Sequence, residues 1–481
     1  MKRILFFLCL SIFLASCKKD EVKLSATQEL YTTVNAWLYQ NMTDLYYWNT
    51  TLPALKTTSE NPKDYFKTLI YKDDRFSAIF ESYTDILNEL NGVSSAEIGF
   101  NFQLYKESST NSNVLGIVLY VKPGTPAQGL GIKRGDMFRK INGTQMTMTN
   151  YSTVINYLLD SSTSSSITFS TYQNQAFTDK AALTVNKAAN YQEDPVYMDT
   201  VYTVQNKKVG YLVYNFFTND GGDNTMKYDL ELNTAIGNFK SQNISELIVD
   251  LRYNHGGMMT SAVNLASMLV PGLAANKVFV LTEYNQNYTD YFNSAAFKSQ
   301  NSGDPFTSDF ALNITATSPA TATYPVQNVG NNLQRIFFLT GRNTASASEM
   351  VINGLKPFLP CVLIGDTTVG KNVGSTLVHD TNNTQNQWAI MPIILKYFNK
   401  DHFSDFTTGF VPNYLVTDDY THMLGDTRES LLANAISQIS GQGVSAAKTI
   451  QVKRVPLKSA IDFKRIQNGL IIDSKKFLKQ H

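Results

Sequence analysis

Residues 335–358, RIFFLTGRNTASASEMVINGLKPF, contain the junction on which the interpretation of the whole chain depends. RIFFLT is a continuous apolar run of the length and composition of a buried strand. From Ala347 onward, apolar residues recur at the i, i+3, i+4 spacing of a helix that buries one face. The sequence therefore predicts a strand, a short loop and a helix, with Ser346 at the start of the helix.

Two interpretations of Ser346 fit this local pattern. Ser346 and Glu349 form an S-x-x-E capping box, in which the serine oxygen accepts a backbone N–H of the first helical turn. A helix that begins directly after a buried strand is also a place where α/β proteins expose nucleophiles, since free N–H groups and the positive end of the helix dipole meet there. The rest of the chain has to decide between a cap and a nucleophile.

Two further apolar strands end in loops of glycine, asparagine and small residues. ELIVDLR, 246–252, runs into YNHGG and then into a helical pattern, and CVLIGD, 361–366, runs into TTVGKNVGS. In an alternating strand and helix arrangement, such loops lie at the carboxyl edge of one sheet. We therefore expect the three loops to lie close together and to form the site.

An acyl-transfer site needs a nucleophile, a base and N–H donors for the oxyanion. Ser346 supplies the hydroxyl, and the N–H of Ala347 with one from Gly256 or Gly257 supplies the donors. Lys371 in the third loop is the predicted base, which requires burial to lower the pKa of its amine. His255, next to the two glycines, is the alternative base.

Composition excludes several other functions. The 41 basic and 40 acidic residues give a formal charge of +1, which provides no electrostatic footprint for nucleic acid. Of the three cysteines, Cys9 falls in the signal segment and Cys17 in a lipidation motif, so Cys361 is left alone in an apolar strand. No disulfide within the chain, no cysteine metal site and no cofactor are predicted.

Residues 1–17, MKRILFFLCLSIFLASC, have the basic start and apolar run of a secretory signal. Leu14, Ala15, Ser16 and Cys17 resemble the lipobox of bacterial lipoproteins, in which the cysteine is acylated. The resemblance implies an exported protein that is lipid-anchored to the outer membrane, facing the periplasm or the cell surface. Residues 18–27 would be a polar tether.

The body of the chain divides into four predicted parts. Residues 28–92 have helical spacing at Leu30, Val34, Leu38 and Met42 and form a helical module. Residues 93–190 alternate in short strands, residues 195–440 form the α/β region, and residues 441–481 are an extension of unclear role. Residues 282–331, rich in Asn, Ser and Thr, are predicted to be a surface insertion.

In the second part, VKPGTPAQGLGIKRGDMFRKINGTQM, 121–146, predicts a strand, a short helix at 125–130, a Gly135-Asp136 turn and a strand closed by Asn142-Gly143. This string resembles a PDZ domain of the type found in exported bacterial proteases. By that resemblance the carboxylate-binding loop is GFNF, namely Gly99, Phe100, Asn101 and Phe102. Its backbone N–H groups would bind a peptide carboxylate while the adjacent strand edge pairs with the peptide.

The motifs DLRYNHGG, TASASEM and GDTTVGKN, in this order, resemble the three signatures of the carboxyl-terminal processing (tail-specific) serine peptidases. The resemblance implies a multidomain α/β protein with a PDZ-like β domain and a crotonase-like α/β peptidase core, acting on unstructured polypeptides. It also implies that Ser346 is the nucleophile and Lys371 the general base, with the oxyanion hole formed by Ala347 and Gly256 or Gly257. The helical module resembles the N-terminal segment of lipoprotein members from the Bacteroidetes.

One position departs from the family pattern. Members commonly carry a glutamine four residues after the lysine, and this chain has Ser375 there, followed by Thr376. Either hydroxyl, or Glu349 in the nucleophile motif, would have to orient the amine. Asp250 and Arg252 are interpreted as scaffolding of the glycine loop.

Two other functions remain open from the sequence. A catalytically weak lipoprotein could use the peptidase scaffold to bind a peptide or a glycan, with Ser346 only capping its helix. A structural partner in a surface complex could use the PDZ-like domain and residues 282–331 as contacts. The oligomeric state is not predicted.

Overall fold

The structure is a computed structural model that describes residues 24–442, 455–463 and 470–472, without the side chains of residues 461, 463 and 470. The predicted signal segment, its Cys17 and most of the predicted tether lie outside the described residues. Within the described ranges, no helix combines the length and the hydropathy needed to cross a membrane.

The N-terminal part is helical, as predicted. Its first helix starts at a capping box between Ser25 and Gln28 and buries Val34, Leu38 and Met42 of the predicted stripe, whereas Leu30 is partly buried. A single 3-10 turn follows at Asn49–Thr51. The first helix is α1 (Ala26–Leu45), and it is followed by α2 (Pro62–Leu69), β1 (Ala78–Phe80) and α3 (Tyr83–Leu90).

The second part is a β domain around a sheet in the order β3-β4-β5-β7-β8. Phe100, Phe102, Phe138 and Phe169 pack edge to face in its core. The predicted strand, helix, turn and strand over residues 121–143 are confirmed. Its elements are β2 (Val93–Glu97), β3 (Phe100–Lys106), β4 (Val114–Val121), α4 (Pro126–Gly129), β5 (Met137–Ile141), β6 (Thr144–Gln145), α5 (Tyr151–Val154), α6 (Asn156–Leu159), β7 (Ser164–Gln173), β8 (Ala176–Asp179), β9 (Leu183–Asn186) and β10 (Ala188–Gln192).

The third part alternates strands and helices, as predicted. Its elements are β11 (Val196–Val204), β12 (Lys207–Tyr214), α7 (Lys227–Ser241), β13 (Glu246–Asp250), β14 (Gly257–Met258), α8 (Met259–Leu269), β15 (Val278–Tyr284), α9 (Gln286–Asn293), α10 (Ala295–Gln300), β16 (Thr307–Asp309), β17 (Asn313–Ala316), β18 (Ala322–Pro325), β19 (Ile336–Thr340), α11 (Ala347–Leu355), β20 (Cys361–Gly365), β21 (Val373–Ser375), β22 (Val378–His379), β23 (Ala389–Met391), β24 (Ile393–Asn399), β25 (Tyr414–Leu415) and α12 (Ser430–Ser440).

The central sheet of this part has the order β11-β12-β13-β19-β20-β25, and β12 to β25 run parallel in it. Alternate residues of β13 and β19 enter two different apolar clusters, one with helices α8 and α11 and the other with α12. Burial on both faces explains why these strands read as continuous apolar runs. Since β13, β19 and β20 are parallel neighbours, the three predicted loops lie at one edge of the sheet.

A second sheet has the order β14-β27-β21-β24-β15-β16, where β27 is Leu470–Ile471. Another late strand, β26 (Pro456–Ser459), pairs with β3 of the β domain and leads into a 3-10 turn at Ala460–Phe463. Part of the extension predicted to have an unclear role is therefore folded into both the β domain and the α/β region.

The predicted surface insertion at 282–331 was wrong. Its first residues belong to β15, and Tyr288, Phe292, Phe297 and Phe310 are buried in the main apolar cluster. These aromatic residues are separated by Asn, Ser and Thr rather than grouped in a run, so the polar composition conceals a segment that packs into the core.

Candidate functional site

Ser346 lies in the loop after β19, directly before α11, and is fully buried. Its backbone has φ 59° and ψ −111°, which is a rare conformation for a residue other than glycine. Such backbone strain costs on the order of 1–3 kcal/mol and occurs mainly where the surrounding structure fixes a functional side chain. The strand-to-helix turn therefore holds this serine in one orientation at the start of the helix.

The hydroxyl of Ser346 does not act as a helix cap. Ser346 and Glu349 have the arrangement of a capping box, and the N–H of Ser346 donates to Glu349 Oε2 at 2.8 Å. Within the part of the chain that the structure describes, however, Ser346 Oγ has no hydrogen-bond partner. A buried hydroxyl without a partner is unfavourable for stability, so its retention requires another explanation.

The glycine loop lies directly against Ser346. A Cβ atom added to Gly256 would come within 2.9 Å of Ser346 Cβ and 3.1 Å of the Ala347 nitrogen. Gly256 and Gly257 have φ angles of +101° and +138°, which only glycine adopts readily. The predicted meeting of the glycine loop with Ser346 and Ala347 is confirmed.

The two glycines differ in how their N–H groups are used. The N–H of Gly256 donates to Asn254 Oδ1 at 2.8 Å, while Asn254 Nδ2 donates to the Tyr214 carbonyl at 2.8 Å. The N–H of Gly256 is therefore engaged within the loop, and Gly257 lies in β14 and pairs with Phe217 on one side and with Leu470 on the other. Sequence reasoning missed Asn254, whose side chain fixes the direction of this loop.

Lys371 is buried, with 1% of its surface exposed. Burial lowers the pKa of its amine to about 7, and the negative charges of Asp74 and Glu349 oppose that change only partly. Its Nζ lies 5.1 Å from the ring centre of Phe76. The lysine therefore has the property expected of a base, since a large fraction of it is neutral near pH 7.

Glu349 connects the nucleophile loop to the lysine loop. Its Oε2 accepts hydrogen bonds from the N–H groups of Ser346 and Lys371, each at 2.8 Å. Its Oε1 accepts hydrogen bonds from the N–H of Gly370 and from the hydroxyl of Thr368. Burial raises the pKa of this carboxyl, and these four hydrogen bonds act in the opposite direction. Glu349 thus positions both backbones.

A tyrosine reinforces this connection from the other side. The hydroxyl of Tyr397 lies 3.2 Å from the Ser346 carbonyl oxygen and 2.7 Å from that of Lys371. Ser346 and Lys371 therefore share two buried partners, one carboxylate and one phenol. No sequence pattern marked Tyr397, which stands in β24.

The hydroxyls of Ser375 and Thr376, predicted to replace the family's glutamine, are not hydrogen-bonded to the lysine amine in the described residues. Ser375 is fully buried, but its Oγ has no hydrogen-bond partner among the residues the structure describes. The hydroxyl of Thr376 donates to the carbonyl of Ile472 at 3.1 Å. Glu349 holds the backbone of the loop that carries the lysine, through the N–H groups of Gly370 and Lys371.

The N-terminal helical part also contributes to the site, which the sequence did not reveal. Arg75 donates from Nη2 to the carbonyls of Gly370 and Thr407, each at 2.9 Å. Asp74 caps the same turn by accepting the N–H of Phe76 at 2.8 Å. This turn therefore places the carboxylate of Asp74 and the ring of Phe76 near Lys371, while Arg75 supports the backbone of the lysine loop.

The predicted scaffolding role of Asp250 and Arg252 agrees with the structure. The guanidinium of Arg252 is buried and forms ion pairs with Asp250, Asp418 and Glu429 at 2.7–2.8 Å. These contacts tie the end of β13 to the start of α12, beneath the glycine loop.

The GFNF loop differs from its predicted form. The N–H of Gly99 donates to Glu97 Oε1 at 3.0 Å, and the N–H of Phe102 donates to Asn101 Oδ1 at 2.8 Å. Phe100 and Asn101 lie in β3 and pair with β4. Two of the four N–H groups predicted to bind a carboxylate are therefore engaged, and the other edge of β3 is covered by β26.

A cavity of about 600 Å³ lies between the β domain and the glycine loop. Gly256, Gly257 and His255 line one side of it, and Lys122, paired with Glu97 and Glu193 at 2.8 and 2.6 Å, lines another. The cavity thus reaches the glycine loop, whose Gly256 packs against the buried Ser346. In residues 24–442, 455–463 and 470–472, no three His, Cys, Asp or Glu side chains are grouped as metal ligands.

Comparison with known proteins identifies relatives of both the helical part and the α/β region. The profile of "Peptidase family S41" matches residues 208–416, and that of "Peptidase S41 N-terminal domain" matches residues 33–78. A "Probable CtpA-like serine protease" of Staphylococcus aureus strain MRSA252 is 21% identical over 366 residues, which are 75% of this chain and 58% of that protein. The protein of the same description in Staphylococcus saprophyticus subsp. saprophyticus is 22% identical over 346 residues, 70% of this chain and 57% of the relative.

The chain therefore spans less than two thirds of the length of these curated relatives. Among solved structures, an S41 family protein from Bacteroides fragilis NCTC 9343 superimposes with a TM-score of 0.65 and 24% sequence identity. The match covers 84% of this chain and 97% of that one. This likeness establishes a shared fold that includes most of the described residues.

Proposed function

Since the chain belongs to peptidase family S41, we propose that it is a serine endopeptidase that cleaves unfolded or carboxyl-terminally exposed polypeptides. Ser346 is the nucleophile and Lys371 the general base of a serine–lysine dyad. The observation that carries this proposal is a buried serine hydroxyl without a hydrogen bond, tied through Glu349 and Tyr397 to a lysine with a pKa of about 7.

In the acylation step, Ser346 Oγ attacks the carbonyl carbon of the substrate while its proton passes to the neutral amine of Lys371. The N–H group of Ala347 and one from the glycine loop, that of Gly256 or Gly257, stabilise the negative oxygen that develops. The C–N bond then breaks, and the lysine returns the proton to the leaving amine. An acyl-enzyme on Ser346 remains.

In the deacylation step, Lys371 accepts a proton from a water molecule that attacks the ester carbonyl. The C–O bond to Ser346 breaks, the new carboxyl product leaves, and the hydroxyl of Ser346 regains its proton. Glu349 takes no direct part in these transfers, because its oxygens are occupied by the donors that position the two loops.

The other parts of the chain have proposed roles around this chemistry. The β domain of residues 93–190 is a PDZ-like module that recruits or gates substrate, and residues 195–440 form a crotonase-like core. Acylation of Cys17 anchors the protein to the outer membrane, on the periplasmic or surface side. The polypeptide would reach Ser346 through the cavity between the two parts.

A fluorophosphonate probe tests the proposal directly. Incubation with the probe is expected to modify Ser346 alone, located by mass spectrometry of the digested protein, and to stop the cleavage of denatured casein. An adduct at another serine, or casein cleavage that persists after complete labelling of Ser346, would contradict the assignment. A folded protein that neither labels nor cleaves would favour the peptide- or glycan-binding alternative.

The charge of Asp74 should set the pH at which the enzyme becomes active. Asp74 raises the pKa of Lys371, so Asp74→Asn should lower it and increase the neutral fraction of the base at acidic pH. We expect the rising limb of the pH–rate profile to move to lower pH, with about threefold faster cleavage at pH 6. The measurement is kcat/KM on a fluorescent unfolded protein between pH 5 and 9.

Asn at this position can still accept the N–H of Phe76 and hydrogen-bond Tyr46, which Asp74 contacts at 2.7 Å. Asp73→Asn is the matched control, since the neighbouring Asp73 is exposed and pairs with Lys72. That control should leave the profile unchanged. A rising limb that stays in place in Asp74→Asn, or moves to higher pH, would argue against Lys371 as the base.

A further inference from the structure

The strand β27 lies between the two halves of the proposed catalytic machinery. Leu470 and Ile471 pair with Gly257 and Met258 on one side, and Ile471 pairs with Ser375 on the other. The N–H of Ile472 donates to the Ser375 carbonyl at 3.0 Å. A segment of the chain's own backbone therefore fills the gap between the glycine loop and the strand that follows Lys371.

Both neighbours of β27 depend on it for pairing on the sides that face the gap. In the sheet order, β14 and β21 are each adjacent to β27 and not to each other. Without β27 each would present an unpaired strand edge, and such edges bind any extended chain through its main-chain groups. The contacts of Ile472 with Ser375 are of this kind and do not require a particular side chain.

The side chains of the segment enter two separate apolar sites. Ile471 is 4% exposed and packs with the cluster that contains Phe80, Ile86 and Met391, whereas Ile472 is 5% exposed and joins the main cluster. Opposite burial of successive side chains is the geometry of an extended strand. The gap thus accommodates two consecutive branched aliphatic residues.

The earlier part of the same segment lies on the β domain and on the nucleophile loop. Pro456–Ser459 pairs antiparallel with β3. The carbonyl of Leu457 accepts from Arg342 Nη2 at 2.9 Å, and Ser459 Oγ accepts from Asn343 Nδ2 at 3.1 Å. Residues 342 and 343 belong to the loop that ends at Ser346, so the described residues of this segment contact the β domain, the nucleophile loop, the glycine loop and β21.

We propose that the gap between Gly257–Met258 and Val373–Ser375 is a binding site for extended polypeptide with two consecutive branched aliphatic residues, and that residues 470–472 occupy it as an intramolecular ligand. This inference rests on the proposed function, because it specifies the substrate class of the same site. A covalently attached ligand has a high effective concentration, so substrate must displace residues 470–472 before it can reach Ser346.

Release of the segment in the full chain tests this proposal. In a Ser346→Ala background, which prevents cleavage, the double variant Ile471→Asp, Ile472→Asp should bind the fluorescent peptide IQNGLIIDSKK, residues 466–476, at least about tenfold more tightly than the chain with both isoleucines. Val455→Asp is the matched control, since it places the same charge at a residue of this segment that is 62% exposed. It should bind the peptide as weakly as the parent does.

A second measurement needs no change in the segment. Saturating peptide added to the Ser346→Ala chain should increase amide hydrogen exchange at residues 470–472, because the peptide displaces them. A peptide that has aspartate in place of Ile471 and Ile472 should have no effect. Unchanged exchange at saturation would overturn the inference whether or not the double variant folds, and so would equal peptide affinity of the parent chain and a folded double variant.

Cleavage assays separate this inference from the proposed function. With Ser346 intact, releasing residues 470–472 by the double substitution Ile471→Asp, Ile472→Asp should raise kcat/KM on unfolded protein about fivefold. If the peptide binds as expected while no variant cleaves or reacts with fluorophosphonate, the peptidase assignment fails and the binding site stands. If cleavage is robust but binding and exchange do not respond, the peptidase assignment stands and the intramolecular ligand is rejected.

Discussion

Ser346→Ala is expected to reduce the cleavage of unfolded protein by at least about a thousandfold while leaving the fold intact. The loss follows from removal of the nucleophile. The free energy of unfolding should rise by up to about 1 kcal/mol, because the variant removes a buried hydroxyl that has no hydrogen-bond partner among the described residues. Casein cleavage and urea unfolding of the purified variant measure the two effects.

The same two measurements distinguish a nucleophile from a helix cap. Loss of a capping serine costs about 1 kcal/mol and leaves chemistry elsewhere untouched. Ser348→Ala is a matched control in the same helix, since its buried hydroxyl lies 3.3 Å from the Asn254 carbonyl. That control should lose stability and keep most activity. A Ser346→Ala variant that turns over at the wild-type rate would refute the assignment.

Ser346→Gly should behave differently from the alanine variant. The φ angle of 59° strains any residue with a Cβ atom, and alanine retains that strain whereas glycine relieves it. The glycine variant should therefore gain more stability than the alanine variant, because it loses both the unpartnered hydroxyl and the backbone strain. This dependence links the strained turn to the function of the side chain it holds.

The sequence was sufficient to predict the part of the site that depends on local patterns. β13, β19 and β20 are buried on both faces, so each leaves a continuous apolar run that ends at a loop. Parallel strands place such loops at one edge, which brought Ser346 and the glycine loop together as predicted. The glycine at position 256 was also a visible sign of the site in the sequence, because the close approach of Gly256 to Ser346 leaves no room for a Cβ atom.

The rest of the site depends on contacts between distant parts of the chain. Asp74 and Phe76 reach Lys371 from the helical module, and no local periodicity couples residues so far apart in sequence. Strand β27 has two residues, too few to show an alternating pattern. Both features follow from packing between parts, which a single sequence does not record.

Lys371→Met is expected to abolish cleavage and, at the same time, to stabilise the protein at acidic pH. The amine has a pKa of about 7 in the folded protein, against about 10.4 in an unfolded chain. Below pH 7 both states bind the proton, and the folded state carries the full cost of a buried cation. Replacement by an apolar side chain of similar length should raise the free energy of unfolding at pH 6 by about 3 kcal/mol.

The pH dependence of this gain identifies its cause. Because the unfolded chain binds more protons than the folded one between pH 7 and about 10.4, wild-type stability rises with pH across that window. The advantage of Lys371→Met should therefore shrink from pH 7 upward and disappear near pH 10, as measured by urea unfolding at several pH values. Lys67→Met, at an exposed lysine paired with Asp64, should show no such trend. A destabilised Lys371→Met variant at pH 6 would mean that the amine is held as a cation in the folded protein, and the lysine could not then serve as the base.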